Sequence, residues 1–244
     1  MTAIPRLGGI WVYLAATPLL GLTITLLAYL IAQRIYAAFK FNPLANPVLI
    51  AVAIVVVVLK TSNTPYDTYF DGAQFVHFLL GPATVALALP LYRQLANLRR
   101  LALPIIVSLA AGSLTAIVSA VSVGALMGAS RQTVASLAPK SATTPIAMAV
   151  AKQVGGVPSL TAVLVISTGV FGAVAARGIL NLLRVNEVEA RGFALGVASH
   201  GIGTARAFQV SEEMGAFAGL GMGLNGVFTA FVVPVLLPML ARFV

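Results

Sequence analysis

Long apolar runs separated by short polar clusters set the pattern of this chain. Trp11–Gln33, Asn46–Leu59, Gln74–Tyr92, Leu101–Gly128, Pro158–Leu183 and Met214–Ala241 are each mostly hydrocarbon, and about 20 such residues suffice for a helix to cross a bilayer. Between the fourth and fifth runs, and again between the fifth and sixth, lie segments whose apolar character is interrupted: residues 132–154 and 187–210. The pattern predicts an all-α polytopic membrane protein, with about six full spans and two broken or re-entrant helical segments. It reads as a single transmembrane domain, with scaffold-like spans over residues 1–60 and a core over residues 74–241.

Local features sharpen these elements. Pro18 should bend or break the first span. The β-branched run Val55–Val58 is left for lipid and neighbouring helices to override. Ser62–Gly72 (SNTPYDTYFDG) is polar and aromatic and reads as an interfacial loop. Gly81–Pro82 interrupts the third span, and Pro90 ends it. Gly112, Ser113, Ser119, Ser122 and Gly124 give the fourth span small faces for close helix contact, as Gly215, Gly219 and Gly223 give the last. Ala83–Ala88 and Ala142–Ala147 echo one another, a pointer to an inverted repeat.

Composition agrees. Of 244 residues 59% are hydrophobic and 9% charged, whereas soluble domains carry about 25% charge. The net charge of +9 sits at span ends, so it orients the protein rather than binding nucleic acid. Arg34, Lys40, Arg93, Arg99 and Arg100 fall on one side against Arg6, Lys60 and Arg131, which puts the N-terminus outside. A hairpin over 132–154 would place Arg177, Arg184 and Arg191 inside as well. There are no cysteines, hence no disulfides or thiolate metal sites; no cofactor or metal is expected. No secretory or organellar leader pattern opens the chain, and a bacterial inner membrane is the expected location.

Candidate chemistry lies in the interrupted segments. In Pro139–Pro145 (PKSATTP), Thr144 suits an N-cap and Pro145 the first helical residue, so a half-helix should run from Thr144 to about Val154. Its N-terminus is an anion site, to which Lys140 adds charge and Ser141, Thr143 and Thr144 add donors. The plainer alternative is that Lys140 snorkels to the interface. In Ser199–Arg206 (SHGIGTAR), Gly201 and Gly203 permit unwound backbone and Thr204 can cap a new half-helix. Ser199, His200, Thr204 and Arg206 then surround the break. His200 reads as a proton carrier or hydrogen-bond donor, or simply as a packed histidine on a carbonyl, and Arg206 as a ligand or a helix-end anchor. Pro82 and Thr84 form a milder break. Asp67, Asp71, Glu187, Glu189, Glu212 and Glu213 sit in connections and read as solvated. No enzyme signature is present.

The motifs PKSATTPIAMAV (Pro139–Val150), ASHGIGTARA (Ala198–Ala207) and YDTYFDG…GPATVALALPLY (Tyr66–Tyr92) resemble the LrgB/CidB family. The resemblance covers the chain from about Asn46 onward. It implies one of two roles. One is a holin/antiholin-like regulator of murein hydrolase export and lysis, beside an LrgA/CidA-type membrane partner. The other is transport of pyruvate, glycolate or glycerate, as in the plastidal glycolate/glycerate translocator. The resemblance also implies an acid before the Gly215–Ala216 pair; Met214 stands there instead. Residue chemistry and resemblance together lead to a secondary transporter of small monocarboxylates, of elevator type, as the main expectation. The alternative is an antiholin-like regulator without solute transport. Lipid and a small carboxylate are the expected partners, with a homodimer through the scaffold.

Overall fold

The computed structural model describes residues 18–42, 45–79, 82, 85–86, 88–93 and 95–240, and among these every regular element is a helix. Trp11 and Thr84 lie outside the described residues, as does much of the Ala83–Ala88 echo. The chain divides into two compact units between residues 86 and 87.

The first unit contains α1 (Pro18–Ala38), α2 (Pro47–Thr61) and α3 (Tyr66–Phe78), with α1 packed on both others. Ala28, Ala32 and Tyr36, spaced by four, form the buried stripe of α1. The same stripe continues to Thr25, whose hydroxyl lies 2.7 Å from the Tyr69 hydroxyl. At Gly21 an added Cβ would meet the Tyr69 carbonyl and come within 3.2 Å of Gly72 Cα, so α1 and α3 touch through bare backbone. Asn46 caps α2 by accepting from Val48 N and Leu49 N at 2.9 and 3.2 Å. Two expectations change here. Ser62–Gly72 is not a loop throughout: helix α3 begins after Pro65, with Asp67 favourably in its first turn. The third run is interrupted as expected, since α3 stops at Phe78, but Pro90 does not end it: it lies inside a helix over Ala88–Arg93.

The second unit holds α4 (Ala88–Arg93), α5 (Leu95–Arg100), α6 (Ala102–Leu126), α7 (Arg131–Leu137), α8 (Thr144–Gln153), α9 (Pro158–Leu182), α10 (Val188–Phe208) and α11 (Glu212–Leu240). By length and apolar composition α1, α6, α9 and α11 can each cross a membrane. At about 1.5 Å per residue, α6 and α9 are about 37 Å long and α11 about 43 Å.

The interrupted segments are both helical hairpins. In hairpin A (α7–α8) the chain leaves α7 at Leu137, turns, and returns along α8. By Val157 it is back beside α7, donating its N–H to Ser136 Oγ at 2.8 Å. Thr143, not Thr144, is the N-cap, with Pro145 in the first turn; the helix starts one residue early because Thr143 has the extended backbone a cap requires. In hairpin B, α10 folds at a single residue, His200, with φ 42° and ψ −135°. Its two limbs then lie together: an added Cβ at Gly203 would sit 2.5 Å from the Leu195 carbonyl, and Leu195, Ala207 and Met214 share one apolar cluster. Thr204 does not cap the second limb. Its hydroxyl donates back to the His200 carbonyl at 2.9 Å.

The glycines of α11 show how closely the limbs approach. Gly215 meets the Phe208 ring, and Gly221 meets the Phe193 carbonyl. Gly223 faces open space, so the packing face is not the regular every-fourth-residue series that the sequence suggests.

Candidate functional site

The two hairpins approach the middle of α11 from opposite ends. Near its start, Met214 and Ala218 pack with Leu195 and Ala207 of hairpin B. Near its end, Val233 and Leu237 pack with Val134, Ala135, Ala138 and Val150 of hairpin A. Helix α6 repeats the arrangement. Leu101, Ile105 and Leu109 lie against Phe193 and Val197 of hairpin B, while Ile117 and Val121 lie against hairpin A. Arg93 also pairs with Glu212 at 2.6 Å, at the hairpin B end.

The tips meet at Asn225, which is 1% exposed. Its Nδ2 donates to the Ser141 carbonyl of hairpin A at 2.9 Å and to the Val197 carbonyl of hairpin B at 3.1 Å. Its Oδ1 accepts from Ser113 Oγ of α6 at 2.6 Å and from Thr229 Oγ1 at 3.4 Å. One amide therefore joins both tips to two long helices. The Val197 carbonyl is free for it because the turn at His200 ends the first limb there. Helix α9 closes the other side, where the Val165 carbonyl accepts from His200 Nε2 at 2.9 Å; since a carbonyl only accepts, Nε2 carries the proton. Val165 also packs with Ala142 and Ala147 of hairpin A.

Beside this junction lies a cavity of about 600 Å³ lined by Lys140, Ser141 and Ser199, with Thr168, Phe171 and Gly172 of α9 and the α6 face at Ser108 and Gly112. Its walls are mostly apolar. Two groups in them have unspent polarity. Among the described residues, the only hydrogen bond of the Lys140 ammonium is a long one of 3.4 Å to Ser141 Oγ, and no carboxylate pairs with it. Ser199, 0% exposed, has a hydroxyl with no hydrogen-bond partner among the described residues. That hydroxyl occupies the space a side chain at position 172 would take, so Gly172 is what admits it. A buried orphan polar group is costly, and a cation without a counter-charge more so. An anion bearing a second oxygen answers both.

The remaining sequence candidates fall elsewhere. Thr143 and Thr144 are half-buried and Pro145 exposed; they shape the start of α8 and do not line the cavity. His200 is the packed histidine on a carbonyl, within electrostatic reach of Lys140. Gly203 serves limb packing, and Gly201 lies near Met222. Arg206 is not at this cavity but lines a separate one at the base of hairpin B. Pro82 is helical and exposed and belongs to the first unit. Sequence reasoning missed Asn225 and Gly172, and took Ser113 only as part of a small helix face. A lone amide in the centre of the last apolar run was the available signal for the first, since polar residues at that depth act as interhelical glue.

Comparison with known proteins gives the chain a family. The model of the LrgB-like family matches residues 25–239. The uncharacterized protein YwbG of Bacillus subtilis (strain 168) is 36% identical over 90% of this chain and 97% of its own length. The antiholin-like protein LrgB of Bacillus mycoides (strain KBAB4) is 32% identical over 91% of this chain and 96% of its own. The protein of the same name from Bacillus cereus (strain B4264) is 31% identical over the same shares. No solved structure matches. With nearly its whole length accounted for, this membrane protein belongs to the LrgB-like family.

Proposed function

We propose that the protein is a multi-pass protein of the bacterial inner membrane that binds a small monocarboxylate of the pyruvate, glycolate or glycerate type between the two hairpin tips and carries it across. The observation behind this reading is the pairing of an uncompensated Lys140 with an orphan Ser199 hydroxyl in one apolar cavity. Lys140 takes the carboxylate; Ser199 and Ser141 take the 2-oxo or 2-hydroxy oxygen. The anion, not a cation, suits the cavity because no carboxylate lines it.

The hairpin limbs are short. Ten residues of α8 extend about 15 Å, half of a hydrocarbon core of about 30 Å, so tips inserted from opposite faces reach the midplane. Helix α6 with hairpin A and α9 with hairpin B run in opposite senses, the arrangement of an inverted repeat and of midplane binding at broken helices. This pairing replaces the Ala83–Ala88 echo as the basis for a repeat. Arg93, Arg99, Arg100, Arg177, Arg184 and Arg191 belong to the hairpin B end, against Arg131 and Lys152 at the other, an asymmetry that supports a cytoplasmic side at hairpin B. The hairpin-bearing unit moves, elevator-fashion, against a scaffold that includes α1 and α2, and a homodimer forms through that scaffold.

The second reading is an antiholin-like regulator acting beside an LrgA/CidA-like partner, without solute transport. The names of the Bacillus mycoides and Bacillus cereus relatives speak for it. Uptake of labelled pyruvate and glycolate into liposomes, with and without the co-expressed partner, separates the two. Saturable uptake lost in Lys140→Gln is the expected result. No uptake of any small carboxylate in either preparation, with insertion verified, leaves the regulator.

A further inference from the structure

The Lys140 cavity is larger than the head of a short acid needs. Its volume of about 600 Å³ lies well inside the range of about 300–1,000 Å³ for pockets that enclose whole drug-sized ligands. Pyruvate ends one methyl group beyond its ketone. With its carboxylate on Lys140 and its ketone on Ser199, it leaves most of that space unfilled. The space also has a direction. The hairpin B tip meets α9 where Gly172 admits the Ser199 side chain, and from there the α9 wall continues to Leu180, about 12 Å further along the helix. The first limb of α10 lines the cavity from Ser199 back to Ala190, about 13 Å. Two separate helices thus wall nearly the same distance, from the tips toward the base of hairpin B.

The chemistry changes along that length. Lys140 is the only charged residue that lines the cavity, and it stands with Ser141 and Ser199 at the tip end. Beyond the tips every lining residue of α9 and α10 is apolar, from Ala175 and Phe193 to Leu180 and Ala190. Ser108 of α6 is the one lining hydroxyl further toward that base. The Thr168 hydroxyl is spent on its own helix, donating to the Leu164 carbonyl at 2.8 Å. A route for a hydrated anion needs hydrogen-bonding groups along its wall. A wall of alanine, leucine, isoleucine and phenylalanine gains instead by covering apolar surface. Polar head at the tips and hydrocarbon beyond them are the two halves of an amphipathic acid.

We propose that the cavity selects 2-oxo or 2-hydroxy acids that carry an aliphatic side chain. Lys140 and Ser199 hold the carboxylate and the C2 oxygen, and the side chain lies along the wall from Ala175 to Leu180. This inference rests on the anion site proposed above and extends it from the head of the ligand to its tail. Each methylene added to the acid and buried on the wall should tighten binding about fourfold. Pyruvate and glycolate then bind as the shortest members of the class and gain nothing from the wall. Binding of this kind serves a carrier and a regulator equally.

Calorimetric titration of the full-length protein in phosphatidylcholine nanodiscs tests this with pyruvate, 2-oxobutyrate, 2-oxovalerate and 2-oxohexanoate. Affinity should rise about fourfold at each step, and Lys140→Gln should lose binding of every acid in the series. Hexanoate, which lacks the C2 oxygen, should bind about tenfold more weakly than 2-oxohexanoate, as for one hydrogen bond. Ala175→Phe fills the wall beyond the tips and should cut the preference for 2-oxohexanoate over pyruvate about tenfold. Should that variant fail to fold, Ala194→Leu, at an exposed position lining the same cavity, should cut the preference in the same direction. Saturable binding of pyruvate with no gain along the series overturns the proposal and leaves the anion site standing, the wall then being covered by lipid. Binding of none of the acids overturns both. Binding of the longer acids that survives Lys140→Gln overturns the proposal as well, because it is partition into an apolar groove.

Discussion

Hairpins A and B do the same architectural job by different means. Hairpin A turns over six residues, Ala138–Thr143, bounded by Pro139 and Pro145 and started on its return by Thr143 in cap geometry. Its bend is written into local chain chemistry. Hairpin B turns at one residue, and that residue is a histidine in a backbone region that favours glycine. Such a conformation costs about 1–3 kcal/mol and persists only where surroundings impose it. Those surroundings are Val165, which holds the ring, and the α11 backbone, against which Gly192 and Gly196 pack with no room for a side chain. The tip that supplies charge is thus locally determined, and the tip that supplies the orphan hydroxyl is held from outside. Strain at B is stored beside the cavity that Ser199 lines.

This contrast can be broken at its joint. Replacing Asn225 by Leu removes a donor to both tip carbonyls and leaves Ser113 without its acceptor. Each stranded buried group costs about 1–3 kcal/mol. Unfolding in detergent should fall by several kcal/mol in sum, and proteolysis should cut the hairpin B tip first. An unfolding midpoint equal to wild type would show that Asn225 does not join the tips.

A smaller effect distinguishes the hairpins from each other. Gly196→Ala drives a methyl into the Ala218 backbone, an overpacking worth about 1–3 kcal/mol or more. In hairpin A, Gly155 has φ +82° but open space around it, so Gly155→Ala should cost only about 1–2 kcal/mol, for left-handed backbone. Thermal unfolding of the two variants ranks them. A larger loss for Gly155→Ala would reverse the assignment of which hairpin depends on packing.

The smallest stability change belongs to Ser199→Ala. Its hydroxyl has no partner to lose, so stability should hold or rise slightly, while affinity for a 2-oxo or 2-hydroxy acid falls about tenfold. Loss of stability without loss of affinity would make Ser199 a packing residue.

The broad architecture was legible because apolar run length and the prolines around Lys140 act locally. The bounds expected for the fourth, fifth and last runs lie within a few residues of α6, α9 and α11. Hairpin A was legible for the same reason. Hairpin B was only half so: its glycines marked a break at Ser199–Thr204, but not the full reversal, which depends on α9 and α11. Arg206 illustrates the consequence. Seven residues along the chain from Ser199, it was grouped with it, yet the second limb carries it back toward Arg191 and away from the tip. Gly172 carried no signal, and the one Asn225 offered, a lone amide in an apolar run, did not reveal its role, for a related reason. Each matters only through what a distant helix brings against it.

The central claim is that Lys140 and the two tips form one anion site, and calorimetric titration of the purified protein with pyruvate and with glycolate tests it most directly. The account predicts saturable one-to-one binding that Lys140→Gln abolishes in a protein that remains folded. Binding of either acid at wild-type strength by folded Lys140→Gln would contradict it.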